Sequence, residues 1–337
     1  MRNFNLGSAW SKGTEFISQQ ATNHAIILIG LGILAPAILQ FALIGGITGT
    51  NPMMMGQNAM GAGASAAALA GTMILVMIVS YLLQMGSYFS SWRIGLAQEE
   101  SLSGAILYGI ICAALLLIAF ALIAVVVTVI VGQVIGQAMQ GGGIGGMALL
   151  MLLVVIPLLI VMAALYSVIM AAMTVAMFLM LLIVLAFGAS MGAANPALAM
   201  AGQGGFAVLI VMAVVALLFW MTARFSCTTS VMADRKSFNL FAGLAESWRL
   251  TGPSQFRIMA YLGLLGILLC VVLLIIVMVL GASMMGSMSS GQVPDVGIGT
   301  QIMTLIVGIP FAYLTALVPA GIYRELFEET AVAEVFA

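Results

Sequence analysis

Seven long runs of apolar residues limit the fold of this chain more than any other feature. A helix needs roughly 20 apolar residues to cross the hydrocarbon core of a bilayer. Six of the runs suit one crossing each, and they are 24–48, 66–91, 104–132, 205–225, 256–281 and 300–323. The seventh run, 147–188, would reach roughly 63 Å as one straight helix, which is about twice the thickness of the core. It is therefore predicted to cross twice or to re-enter the membrane.

The composition excludes a water-soluble globule. Of the 337 residues, 64% are apolar and 6% are charged, whereas soluble domains carry about 25% charged residues. Nine basic and ten acidic side chains are too few to cover a globule of this size with water-facing groups. A net charge of −1 without a basic stripe argues against a nucleic-acid partner. The sequence predicts an all-α, polytopic membrane bundle that forms one domain, 1–337.

The placement of the basic residues predicts the topology. Loops on the cytoplasmic side of a membrane are enriched in Lys and Arg. If 147–188 crosses twice, the segments that carry basic residues share one face, and they are 1–23, 92–103, 224–255 and 324–337. The opposite loops contain no basic residue, and they are 49–65, 133–146, 189–204 and 282–299. This pattern predicts eight crossings, or six crossings and a re-entrant pair, with both termini in the cytoplasm.

Polar stretches with aromatic residues precede three of the spans that leave this face. Ser91-Trp92-Arg93 recurs as Ser247-Trp248-Arg249, and Phe4-Asn5-Leu6 at the N-terminus has a counterpart in Phe238-Asn239-Leu240. Tryptophan beside a cation suits the headgroup layer, where an amphipathic helix lies flat. We therefore predict interfacial anchors at Trp10, Trp92 and Trp248. They are either three ordinary anchors or parts of a repeated unit of interfacial helix and hairpin, with approximate units 1–91, 92–234 and 235–337.

Two stretches of the C-terminal half resemble the signature of a known family. They are Val231-Met232-Ala233-Asp234-Arg235-Lys236-Ser237 and Gly243-Leu244-Ala245-Glu246-Ser247-Trp248-Arg249-Leu250-Thr251-Gly252. They are similar to the glycerophosphoryl diester phosphodiesterase membrane-domain family, in which an acidic, small-residue turn and then an "RSWxLT"-like helix join two spans. The ending Gly321-Ile322-Tyr323-Arg324-Glu325-Leu326 also looks like the family's ending. Because the family is chiefly bacterial, the resemblance implies a bacterial inner-membrane location.

The resemblance does not imply a catalytic activity. Some family members carry this membrane unit fused to a catalytic barrel, and no part of this sequence corresponds to that barrel. The single histidine, His24, is expected at the membrane interface, and the ten acidic residues lie outside the apolar runs. Nucleophilic triads and most metal sites need several such groups at one point. The sequence therefore predicts no enzyme, no cofactor and no metal site.

Surfaces of small residues favour a scaffold or an accessory subunit of a membrane complex as the first functional hypothesis. Glycines recur at short spacing in 132–136 and 263–266. In lipid, small residues let helices approach closely, so the expected partner is another protein or a second copy of this chain. The alternative is that these residues pack within one chain.

Handling of lipid or another amphiphile across the bilayer is the second hypothesis. Arg224 and Arg257 lie at the cytoplasmic boundary, where a guanidinium is able to hold a lipid phosphate or to anchor the helix by snorkelling. Gln40 and Gln84 are polar groups within spans, and a buried amide must find a hydrogen-bond partner. They are expected either to bond each other or the backbone, or to line a polar path.

Binding of Cu(I) is a minor third hypothesis. The chain has 27 methionines, and some cluster in predicted outer loops at Met53-Met54-Met55 and Met284-Met285-Gly286-Ser287-Met288. Soft thioethers select Cu(I). Methionine also occurs throughout the spans, where it acts as an adaptable apolar residue.

Overall fold

The computed structural model describes residues 4–42, 63–97, 100–139, 202–289 and 298–335. Within them the regular structure is helical, as the sequence predicts. The helices are α1 (Leu6–Gln19), α2 (Ala21–Gln40), α3 (Gly63–Leu96), α4 (Leu102–Met139), α5 (Gly202–Phe225), α6 (Thr228–Asp234), α7 (Leu240–Thr251), α8 (Gln255–Ser289) and α9 (Ile298–Val335). The predicted double-length run 147–188 lies outside the described residues.

Length and apolar composition of the helices indicate a membrane protein. Five segments of the described chain are long and apolar enough to cross a bilayer, and they are Ala21–Gln40, Gly71–Leu96, Leu102–Ala119, Val215–Asp234 and Leu240–Val272. Many large apolar side chains stay exposed on these helices, among them Met77 (70%) and Leu107 (62%). Such exposure suits a hydrocarbon solvent, because lipid tails are as apolar as the side chains.

The first membrane helix, α2, changes its hydrogen-bond pattern along its length. Residues Ile26–Leu34 form π-helical turns, and the N–H of Ala35 donates to the carbonyl of Gly30. Pro36 follows at once and has no N–H to donate. The same stretch packs tightly on α3, since a Cβ at Gly32 would overlap the Ser87 side chain. The π-helical turns therefore lie where α2 packs against α3.

Helices α3 and α4 form a hairpin whose crossing depends on glycine. At 1.5 Å per residue they are about 51 and 57 Å long, which exceeds the roughly 30 Å hydrocarbon core. A Cβ at Gly109 of α4 would overlap the carbonyl oxygen of Gly86 and lie 2.8 Å from the backbone nitrogen of Ser90. Glycine at this position therefore lets the two backbones touch.

Two short amphipathic helices, α1 and α7, begin in the same way. Asn5 caps α1 by accepting hydrogen bonds from the N–H groups of Gly7 and Ser8, and Asn239 caps α7 by accepting from Ala242. A side-chain oxygen at this position satisfies an N–H that the first turn leaves unpaired. The two Phe-Asn-Leu sequences are thus equivalent helix starts, each followed by a membrane helix.

Both amphipathic helices dock through small residues. On α1, Ala9 and Gly13 are buried against α9, where a Cβ at Gly321 would overlap the Ala9 carbonyl oxygen. On α7, the buried face consists of Gly243, Ser247 and Thr251. The third predicted copy differs, because Ser91-Trp92-Arg93 lies inside α3 and α4 begins directly at Leu102.

Helix α9 separates two buried clusters of side chains. One face presents Leu317, Val318 and Ile322 to a cluster shared with α1, α5, α6 and α8. The other face presents Ala312, Ala316 and Ala320 to a cluster shared with α1, α2, α3, α4 and α6. Since the alanines lie four residues apart, they form one stripe of the helix, along which bulky residues of α3 approach closely.

Candidate functional site

A network of polar contacts at one end of the bundle joins residues that are distant in sequence. Arg93, close to the end of α3, forms an ion pair with Glu100. Its Nη1 also donates to the carbonyls of Ala233 (2.7 Å) and Asp234 (2.9 Å). Lys236 reaches the same carboxylate, with Nζ 3.1 Å from Oε1 of Glu100. A cation is favourable at a helix C-terminus, so Arg93 stabilises the end of α6.

The turn after α6 is a Schellman-type cap with lysine in the left-handed conformation. The N–H of Ser237 donates to the carbonyl of Met232 (2.9 Å), and that of Lys236 donates to Ala233 (3.4 Å). Lys236 has φ 49°, a conformation that favours glycine. Tyr108 of α4 donates from its hydroxyl to the carbonyls of Met232 (2.8 Å) and Ser237 (3.1 Å). Contacts from α3 and α4 therefore fix this turn.

Helix α9 joins the same end of the bundle. The Tyr323 hydroxyl donates to Oδ2 of Asp234 at 2.8 Å. Glu325 accepts a hydrogen bond from the Ser8 hydroxyl and pairs with Lys12, whose Nζ lies 2.9 Å from Oε2. We define the polar network as the contacts just described together with those of Arg93, Glu100, Tyr108 and Lys236. Its members are Ser8, Lys12, Arg93, Glu100, Tyr108, Asp234, Lys236, Tyr323 and Glu325. It connects α1, α3, α4, α6 and α9.

Two carboxylates of the polar network are held in the charged form. Hydrogen bonds from Arg93 and then Lys236 keep the pKa of Glu100 below its ordinary value. For Glu325, burial raises the pKa, but hydrogen bonds led by that from Ser8 outweigh it, and the pKa is lowered. Both carboxylates are therefore ionised and accept hydrogen bonds from side chains of neighbouring segments.

His24 and Trp92 are completely buried within the protein, and their expected position at the level of the membrane interface stays a prediction. The Nδ1 of His24 lies 2.8 Å from the Ser91 hydroxyl, and its Nε2 lies 3.2 Å from the Phe16 carbonyl. Trp92 donates from Nε1 to the carbonyl of Ala316 at 2.8 Å. Each ring finds its polar partner within the bundle because α3 is enclosed by α2, α4 and α9 at this level.

Arg224, at the end of α5, differs from the cations of the polar network. It is only 7% exposed, and its guanidinium lies over the Trp248 ring with Cζ 4.0 Å from the centroid. Among the described residues, Nε of Arg224 has no hydrogen-bond partner. Its backbone carbonyl is well bonded, because the hydroxyls of Ser247 (2.9 Å) and Thr251 (3.0 Å) both donate to it.

Further aromatic rings pack around Trp248, the ring on which this guanidinium lies. Trp220 and Phe225 pack on Trp248 at 5.3 and 5.5 Å between ring centroids, and Trp220 donates from Nε1 to the Gln255 side chain at 3.2 Å. Gly252 lies beside it, since a Cβ there would be 3.0 Å from Nη1 of Arg224. We call Arg224, Trp248 and Gly252 the Arg224 site.

The other residues named from the sequence do not converge on this site. Arg257 is exposed on α8, and Gln40 and Gln84 are exposed on α2 and α3. Trp10 is 41% exposed and Trp248 is 37% exposed, so their role as interfacial anchors stays a prediction.

The Cu(I) hypothesis concerns methionines whose side chains lie outside the described part of the chain. Within the described ranges, no three His, Cys, Asp or Glu residues come together in a way that would hold a metal ion. Met53, Met54 and Met55 lie outside the described residues. Helix α8 includes the positions of Met284, Met285 and Met288, which the sequence placed in a loop.

Sequence reasoning missed most members of the polar network. The predicted loops of one face contain Arg93, Glu100 and Lys236. The predicted topology therefore places these residues on the same side of the membrane, but it does not predict which of them form ion pairs. Tyr108 and Tyr323 carried a weak signal, since a tyrosine near the end of an apolar run needs a partner for its hydroxyl when buried.

No protein-family model, curated protein or solved structure matches this chain. The described helices define a class of protein, a helical membrane protein in which hydrogen bonds and ion pairs join the helices at one end. The resemblance to the glycerophosphoryl diester phosphodiesterase membrane-domain family stays a prediction from the motif residues.

Proposed function

We propose that this chain is a non-catalytic integral membrane protein that acts as a scaffold or accessory subunit of a membrane complex. The polar network is the observation that carries the proposal, because it ties α1, α3, α4, α6 and α9 together. Transport by alternating access needs one group of helices to rock against another. Contacts between residues as distant as Lys12 and Glu325 oppose such a motion and favour a fixed bundle.

The proposed topology has eight crossings, or six crossings and a re-entrant pair, with both termini cytoplasmic. It is supported by the direction of the helices, since α4 leaves the polar network at Leu102 and α5 returns towards it at Arg224. An even number of crossings in 140–201 would satisfy both directions. The bacterial inner membrane and the units 1–91, 92–234 and 235–337 belong to the same proposal, the former on the family resemblance.

The proposed contact face for a partner lies on α8. This helix packs chiefly against α5, and a Cβ at Gly263 would lie 3.4 Å from the Phe219 ring of that helix, so this glycine is used for packing within the chain. A stripe of large apolar side chains on α8 remains exposed, and it comprises Phe256, Leu264, Ile267, Leu268, Val271 and Ile275. In lipid such a stripe is able to pack against another helix.

Site-specific photo-crosslinking in native membranes tests this proposal. A photoreactive residue at Leu268, which is 57% exposed, is expected to give one discrete adduct with a second protein or a second copy. The matched control is the same residue at Leu122 of α4, which is 64% exposed and is expected to label lipid. Mild extraction and mass spectrometry should then recover the same partner in stoichiometric amount. Lipid adducts alone from Leu268, with a lone monomer in every detergent, would contradict the scaffold role.

A further inference from the structure

The Arg224 site contains a buried positive charge that the described chain does not neutralise. The guanidinium is always protonated, its side chain is 7% exposed, and no described carboxylate pairs with it. Burial of a charge without a partner is costly. Stacking on Trp248 offsets part of that cost but provides no acceptor for the guanidinium hydrogens.

The carboxylate nearest in sequence to Trp248 is committed elsewhere. Glu246, on the same helix α7, accepts from Nη2 of Arg235 at 2.9 Å and from Nη2 of Arg249 at 2.8 Å. Glu246 is therefore already bonded to two arginines. Among the described residues, no carboxylate therefore provides a counter-ion for Arg224.

The position of the site indicates which anion fits. The helices that flank it carry exposed aromatic side chains, with Phe241 on α7 81% exposed, Phe256 on α8 73% exposed and Trp248 37% exposed. Aromatic residues of this kind concentrate at the level of the lipid headgroups. A phosphate at that depth meets a planar guanidinium with several donors, which matches its oxygens in a bidentate way.

We propose that the Arg224 site binds a phosphate group, with Arg224 as the donor, Trp248 as the surface behind the guanidinium and Gly252 as the residue that leaves room beside Nη1. The phosphate comes from the headgroup of an anionic phospholipid or from free phosphate, and the chemistry is the same in both cases. This site is independent of the scaffold role. The structure also separates it from Arg257, which is exposed to solvent or lipid on α8.

The first experiment uses the full chain in nanodiscs of phosphatidylcholine with or without phosphatidylglycerol. Lipid retention is measured by native mass spectrometry for the wild type, Arg224→Met and Arg257→Met. Both substitutions remove one positive charge and keep an apolar stem. We expect Arg224→Met to weaken retention of phosphatidylglycerol about tenfold, the loss of one charge-assisted contact, and Arg257→Met to leave it within twofold. Equal losses in both variants would overturn the proposal.

Free phosphate is tested separately by thermal unfolding in phosphatidylcholine nanodiscs. A rise in Tm with inorganic phosphate that disappears in Arg224→Met identifies free phosphate as the ligand. Selective retention of phosphatidylglycerol that inorganic phosphate does not displace identifies the lipid headgroup. Absence of both effects in the wild type refutes the site.

A third measurement needs no variant that removes the arginine. Modification of wild-type arginines by phenylglyoxal is followed by peptide mass spectrometry in the two kinds of nanodisc. Arg224 should react several-fold more slowly when phosphatidylglycerol is present, while Arg257 provides the internal reference. Gly252→Ala, which places a Cβ 3.0 Å from Nη1, should weaken that protection without a change in charge. Equal reactivity of Arg224 in both lipid mixtures is the opposing result.

Discussion

Substitution of Gly109 by alanine should part the hairpin of α3 and α4. The added Cβ would lie 2.8 Å from the backbone nitrogen of Ser90 and closer still to the carbonyl oxygen of Gly86. Carbon atoms normally approach such neighbours to about 3.5 Å, so the helices must separate by about 0.7 Å or more. Because two of the obstructing atoms belong to the backbone of α3, no change of rotamer relieves the overlap.

The expected cost follows from the packing that depends on this crossing. A gap of 0.5–1 Å forfeits roughly a quarter to a half of the dispersion energy of each contact it opens, and overpacking of an interior costs about 1–3 kcal/mol. Gly71→Ala on α3 is the matched control, because nothing lies within 4 Å of its Cβ position. In a helix this change is expected to stabilise by about 0.5–1 kcal/mol. Because both variants share this gain, they should differ by the overpacking cost alone, which is about 1–3 kcal/mol.

Reversible unfolding in mixed micelles, with increasing SDS and detection by circular dichroism, measures this difference. Both variants replace hydrogen by methyl in a helix, so they share every effect except the overlap. A free energy of unfolding for Gly109→Ala equal to that for Gly71→Ala would refute the close crossing at Gly86, and with it the described hairpin.

Three further outcomes are expected. The pKa values of Glu100 and Glu325 are lowered in the folded protein, so both carboxylates contribute stability above their ordinary pKa of about 4.3, and this stability is lost as the pH falls through the folded-state values. The Tm of the wild type in nanodiscs should therefore decrease when the pH is lowered from about 4.3, and the decrease should be less steep in Glu100→Gln. Trp92→Phe should cost about 1 kcal/mol in SDS unfolding, since the carbonyl of Ala316 loses its indole donor; an unchanged stability would show that this bond contributes nothing. Lys236→Gly should be about 1 kcal/mol more stable than Lys236→Ala, because φ 49° at this position strains any residue with a Cβ and both variants lose the same ion pair.

The helical architecture follows directly from the sequence. Each predicted single-crossing run falls within a described helix as far as the described residues extend, because a backbone in hydrocarbon must satisfy its own hydrogen bonds. The two Phe-Asn-Leu sequences also predict their structure, since a capping asparagine acts locally. The charged segments of one face meet in the polar network, as the distribution of Lys and Arg implies.

The fate of individual side chains depends on tertiary packing. Trp92 and Trp248 occupy the same Ser-Trp-Arg tripeptide, yet Trp92 is enclosed by three helices and Trp248 is 37% exposed. Arg224 and Arg257 both lie at span boundaries, and only Arg224 is buried. In a membrane, surfaces that face lipid and surfaces that face another helix are equally apolar. The pattern of apolar residues therefore predicts which segments are helices. It does not predict which helices pack together, so the buried polar contacts are determined only by the tertiary structure.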